Sequence, residues 1–212
     1  NLAERHRGFL GLLLIHALVY WATLTGGSPF ATASVECAAG GMADAVLAGD
    51  RAWSAFDTFD GPLGGMFVAA MAGLPLFAVG GVTAFTTKAV AWGFAVAVLV
   101  VVYTLLDRHE SRPAALLGAA TLGFGPPALW SVSMVFGNWH WTELLFDYGV
   151  ALGALELLRA HRSGRPGVAP WLLLGAITGL GLFNSFGSVP FMGAAWGVLV
   201  VGLLSRQLLP VG

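Results

Sequence analysis

Thr86-Thr87-Lys88-Ala89-Val90-Ala91-Trp92-Gly93-Phe94-Ala95-Val96-Ala97-Val98-Leu99-Val100-Val101-Val102-Tyr103-Thr104-Leu105-Leu106 is the stretch that decides how the chain is read. It ends against the basic pair Arg108 and Arg112, and an apolar run of roughly 20 residues is what a bilayer-crossing helix needs. Residues 8–24, 113–136, 144–158, 171–186 and 191–204 repeat the pattern, with charges gathered between the runs. Of the 212 residues, 57% are hydrophobic and 10% charged. Ordinary soluble domains carry roughly 25% charged residues, so lipid is the expected solvent for most of this chain. The 30 glycines fit that reading, because small residues let membrane helices approach closely.

A net charge of −1 offers no basic face to displace the counterions of a nucleic acid. The single cysteine, Cys37, excludes an intrachain disulfide and a multi-cysteine metal site; it is expected to be a small buried apolar residue. The chain starts at Asn1 rather than Met and stops at Val211-Gly212 without a terminal feature. A segment of a longer protein is expected.

Topology follows from the basic residues. Cytoplasmic loops carry the excess of Lys and Arg, and the clusters are Arg5/Arg7, Arg108/Arg112, Arg159/Arg162/Arg165 and Arg206. The stretch from Thr25 to Pro62 holds Glu36, Asp44, Asp50, Asp57 and Asp60 with one basic residue, Arg51, and is expected outside. If residues 63–79 cross, the last three clusters fall on the opposite side from the first. If they do not, all four share one side. That segment is also the one most broken by small residues and proline, at Gly64-Gly65, Gly73-Leu74-Pro75 and Gly80-Gly81. The expected fold is an all-α membrane protein of about six transmembrane helices plus a re-entrant or surface helix on the outer side. Residues 1–212 form one transmembrane domain, and residues 25–85 form its first outer loop.

Polar chemistry is then sought on the outer face. Gly137-Asn138-Trp139-His140-Trp141-Thr142-Glu143 places an amide, an imidazole and a carboxylate in one short turn. The same residues also suit an interfacial aromatic belt and a helix cap. Glu36 and the run Asp57-Thr58-Phe59-Asp60-Gly61-Pro62 supply outer carboxylates, which can serve as a general base or hold a cation. Asn184, Ser185 and His16 are expected to join neighbouring helices.

The order of these features resembles the GT-C fold glycosyltransferases that use polyprenyl-phosphate sugars, such as protein O-mannosyltransferases and lipid A aminoarabinose transferases. The resemblance rests on one helix, a long acidic outer loop, a surface helix Gly-Pro-Leu-Gly-Gly…Leu-Pro-Leu-Phe-Ala-Val-Gly-Gly and a helix ending in an Arg-rich turn. Arg112-Pro113…Gly125-Pro126-Pro127, the turn Gly137 to Glu143, and the Gly175 to Ser185 segment with its Gly-x-x-x-Gly-Leu pattern add to it. The family usually carries an acidic pair early in the first outer loop, where this chain has Glu36 without an acidic neighbour, and its histidine turn lacks the inserted Trp139. What the resemblance implies is inverting transfer of a sugar from a polyprenyl-phosphate carrier to an acceptor at the outer face of a bacterial inner membrane, with the N-terminus cytoplasmic. Glu36, His140 and Glu143 would be the catalytic residues. Asn138, Arg51, Asp57 and Asp60 would bind substrate, without a protein-built metal cluster but with room for a divalent cation. The rival expectation is a non-catalytic subunit packing among other membrane subunits. A transporter is disfavoured because the reading places no charged residue deep in a crossing.

Overall fold

A computed structural model describes residues 2–26, 34–50, 64–125, 134–135, 139–164 and 167–208, and no strand occurs among the described residues. After a single helical turn at Leu2–Arg5 come α1 (Arg7–Gly26), α2 (Ser34–Leu47), α3 (Gly64–Gly80), α4 (Ala84–His109), α5 (Arg112–Gly123), α6 (Trp139–Arg162), α7 (Val168–Asn184), a 3-10 turn (Phe186–Ser188) and α8 (Val189–Leu208). Arg7–Thr25, Ala84–His109 and Phe186–Ser205 are long and apolar enough to cross a membrane. Only 22%, 33% and 17% of residues in their most apolar windows are buried, and α1 turns Leu10, Leu14, Ile15 and Leu18 outward. Apolar surface turned outward on that scale belongs in lipid. The chain is an all-helical membrane protein.

Ion pairs mark one end of the bundle. Arg5 meets Asp107 at 3.4 Å, Arg108 meets Glu156 at 3.1 Å, and Arg159 donates to the Arg108 carbonyl at 3.1 Å. The start of α1 and the ends of α4 and α6 therefore share this basic end. Phe9 stacks on Tyr103 there, with ring centroids 4.0 Å apart. At the opposite end the Tyr20 hydroxyl of α1 donates to the Lys88 carbonyl of α4 at 3.0 Å, so the two helices run antiparallel.

The two ends of α3 make their contacts at one end of the bundle. Its early residue Phe67 meets Phe183, at the far end of α7, edge-on with centroids 5.6 Å apart. Its last residue, Gly80, approaches Thr86 in the first turn of α4. Both ends of α3 thus lie at the end away from the arginines. The turn into α4 needs Gly81, whose φ of 70° disfavours a side chain. Thr83 then caps α4: its hydroxyl accepts from Thr86 N at 3.2 Å, while Thr86 Oγ1 accepts from Thr83 N at 2.9 Å. Packed against α3 is α2, with Ala39, Met42 and Ala43 meeting Met66, Ala69, Ala70 and Phe77 over Val90 and Ala91 of α4. The helix at Ser34–Leu47 is not expected from the sequence, which reads there as outer loop.

Another expectation is corrected at residues 113–136. Ser111 caps α5 and Pro113 suits its first turn, but the helix ends at Gly123, with Phe124 at φ −125°, ψ 28°. Twelve residues rise about 18 Å, short of a hydrocarbon core of about 30 Å. Gly125, Pro126 and Pro127 follow, and Met134 and Val135 are again non-helical. The described residues of this range therefore do not form one unbroken helix.

Glycine works selectively. In the antiparallel pair α6 and α7, a Cβ at Gly153 would sit 3.1 Å from Leu174, and one at Gly181 would overlap the Met192 methyl and come 2.9 Å from Phe146. Gly175 and Gly179 face open space, so the Gly-x-x-x-Gly pair is not what packs α7 inside this bundle. Gly181→Ala should cost about 1–3 kcal/mol through overpacking, whereas Gly175→Ala should cost nothing. Unfolding in mixed micelles followed by tryptophan emission separates the two; equal losses would contradict this packing.

Candidate functional site

Glu36 stands in the first turn of α2, where a carboxylate suits the positive end of the helix. It does not face water. Lys88, early in α4, donates from Nζ to Glu36 Oε1 at 2.6 Å and to the Met134 carbonyl at 2.8 Å. The two side chains, Glu36 and Lys88, are 1% and 4% exposed. One ion pair thus ties α2 to α4, and its lysine also reaches Met134. A carboxylate held this way is an anchor between elements first, and reaches an acceptor only if the pair opens.

A second polar group forms at the start of α6. Glu143 Oε1 accepts from Ser185 Oγ at 3.2 Å, and Ser185 Oγ accepts from Gly187 N at 3.0 Å. His140 Nδ1 lies 3.8 Å from Glu143 Oε2, with side chains 50% and 18% exposed. That distance permits electrostatic attraction but exceeds hydrogen-bond length. The helical period puts His140 and Glu143 on one face of α6, and Gly187 lets the 3-10 turn close on the acid, since a Cβ there would fall on Glu143 Oε1. One turn deeper, Asp147 is buried, and Ser188 sits beside it. Asn184 is buried too, and neither of its amide atoms has a hydrogen-bond partner among the described residues.

Of the residues proposed from sequence, His140 and Glu143 are brought together, and Glu36 lies at the same end of the bundle in its own pair with Lys88. Arg51, Asp57, Asp60 and Asn138 lie outside the described residues. No three of His, Cys, Asp and Glu are grouped to hold a metal ion among the described residues. Ser185 joins α7 to α6 as expected; Asn184 does not form the hydrogen bond expected of it within the described residues. Cys37 is exposed rather than buried. Trp141 is 4% exposed and packs on Ala95, Val98 and Val102, so it belongs to the core between α4 and α6 rather than to an interfacial belt.

Sequence reasoning misses Lys88 and Asp147. Both are buried and lie near the starts of apolar runs, Lys88 third in residues 86–106 and Asp147 fourth in residues 144–158. The signal is present in the sequence: Lys88, like Arg51, is a basic residue on the acidic side of the map, and within an apolar run it needs a counter-charge.

No known protein family, curated protein or solved structure matches the chain.

Proposed function

We infer that this chain is the membrane domain of a GT-C type glycosyltransferase, transferring a sugar from a polyprenyl-phosphate carrier to an acceptor at the end of the bundle away from the arginines. The observation that carries the reading is the layer made by α2 and α3. It lies at that end, holds the first acid of the outer loop, and sits beside the polar start of α6. In the membrane, the arginine end is cytoplasmic by the positive-inside rule. Of the described helices, α1, α4, α6, α7 and α8 cross, and α5 enters the membrane from the arginine end. The setting is a bacterial inner membrane.

The chemistry is division of labour between two acids. Glu143, partly exposed and oriented by Ser185, takes the proton from the acceptor hydroxyl as its oxygen attacks the anomeric carbon. The bond from that carbon to the phosphate oxygen breaks, its electron pair leaves with the polyprenyl phosphate, and the anomeric configuration inverts. His140 supplies positive charge or a donor to the departing phosphate. Glu36, paired with Lys88, fastens α2 to α4 beside the site.

A second reading is favoured by one observation. A Cβ added at Gly175 or Gly179 on α7, or at Gly193 or Gly197 on α8, would meet no heavy atom within 4 Å, and such outward small-xxx-small pairs dock membrane helices. A subunit packing in a larger assembly would present them.

The first test is topological. Cys37, the chain's one cysteine, should react with a membrane-impermeant maleimide from the outer side of intact cells. A cysteine placed at Arg162 in a Cys37→Ser background should react only after permeabilisation. Labelling of both from the same side would overturn the orientation.

A further inference from the structure

Two cavities open beside α4, one against α5 with Tyr148 of α6 at its edge and one against the end of α6. The first, about 600 Å³, is lined by Val102, Leu105 and Leu106 of α4, Leu117 and Leu122 of α5, and Tyr148 of α6. The second, about 280 Å³, lies at the basic end and is lined by Arg108, His109, Arg159 and Arg162 with Leu155 and Leu158. Helical periodicity puts much of their linings on one face of each helix. Val102, Leu105, Leu106 and His109 recur at i, i+3, i+4 and i+7 along α4, and Tyr148, Leu155, Arg159 and Arg162 at i, i+7, i+11 and i+14 along α6. Each set shares one helix face.

We propose that the two cavities together form one furrow that binds an anionic phospholipid, with the phosphate held among Arg108, Arg159 and Arg162 and one acyl chain lying along the apolar section. Charge complementarity selects the occupant. Glu156 lies 3.1 Å from Arg108 and 3.6 Å from Arg159, so one carboxylate serves two guanidinium groups, while Arg162 is exposed beside them. A guanidinium carries five N–H donors, and donors remain for phosphate oxygens. Basic pockets between membrane helices at the cytoplasmic side are suited to anionic head groups. The apolar section below distinguishes a lipid from free phosphate, because an inorganic ion has no use for it. The site is independent of the transferase reading: it lies at the arginine end, away from Glu36 and Glu143.

The full chain in nanodiscs of phosphatidylcholine and phosphatidylglycerol at three to one, followed by native mass spectrometry, should retain phosphatidylglycerol well above its share. Each arginine near a charged membrane surface contributes on the order of 1 kcal/mol, so Arg159→Gln with Arg162→Gln should reduce that preference about tenfold or more. The corresponding Lys pair should restore most of it. Leu117→Trp, which fills the apolar section and leaves the arginines intact, should also expel the lipid. Retention of both lipids in proportion to the bilayer, or an unchanged preference in the Gln pair, overturns the proposal. Loss in the Gln pair with full retention in Leu117→Trp would show a phosphate site without a seat for the chain, and would overturn it equally.

Discussion

Lys88→Met is expected to destabilise the folded chain by about 3–5 kcal/mol, the usual cost of breaking a buried ion pair by removing one partner. The substitution leaves the Glu36 carboxylate, 1% exposed, without the ammonium group now 2.6 Å away. The Met134 carbonyl loses its 2.8 Å donor as well. Glu36→Met should be similarly damaging, because the lysine would remain buried with that carbonyl. Replacing both should recover most of the loss, since a buried pair exchanged for apolar side chains of like volume is often neutral or stabilising. Equilibrium unfolding in mixed micelles, read from the eight tryptophans, gives all three values. A double variant as unstable as Lys88→Met would show that the lysine holds something besides Glu36. It would also remove the argument that this pair is what fastens α2 to α4.

What the sequence discloses is decided by length and charge. The run through Val98 and Leu99 has to be a helix in lipid, and the arginines have to share a side; Arg5, Arg108 and Arg159 do gather at one end. The non-crossing reading of residues 63–79 rests on that parity; Phe67 meets Phe183 and Gly80 approaches Thr86. The α2 helix is hidden because its signal is tertiary. Gly40-Gly41 and Asp44 read as loop, yet Ala39 and Ala43 form a helix face when α3 lies over them, and a Cβ at Gly40 would meet Val82 at 2.9 Å. Run length is a poor guide at residues 113–136, where hydropathy carries straight through Gly125-Pro126-Pro127 but the helix ends at Gly123. For the site, residue type picks out Glu36, His140 and Glu143, but pairing cannot be read from type. Only the fold shows that Glu36 is matched by Lys88, 52 positions away, and that Glu143 is matched by Ser185, 42 positions away.

This exchange of partners sets the largest functional effect expected. Glu143→Gln should lower turnover of a polyprenyl-phosphate mannose donor by about a hundredfold or more, the usual range for loss of a general base. Stability should change little, because the amide oxygen can still accept from Ser185 and the side chain is not deeply buried. Release of polyprenyl phosphate is the readout, since water can replace the natural acceptor and the acceptor need not be known. Glu36 separates two mechanisms through its partner. If it is the base, Glu36→Gln abolishes release and adding Lys88→Met restores nothing, because no carboxylate has returned. If it is an anchor, the single change lowers activity together with the folded fraction, and the neutral double variant recovers both. Equal turnover in wild type and Glu143→Gln would remove the catalytic role from this acid. Release no faster than from protein-free liposomes, by a chain that is folded and correctly oriented, would instead turn the case to the outward glycines of α7 and α8. The protein would then be a scaffold whose polar end closes against a partner subunit.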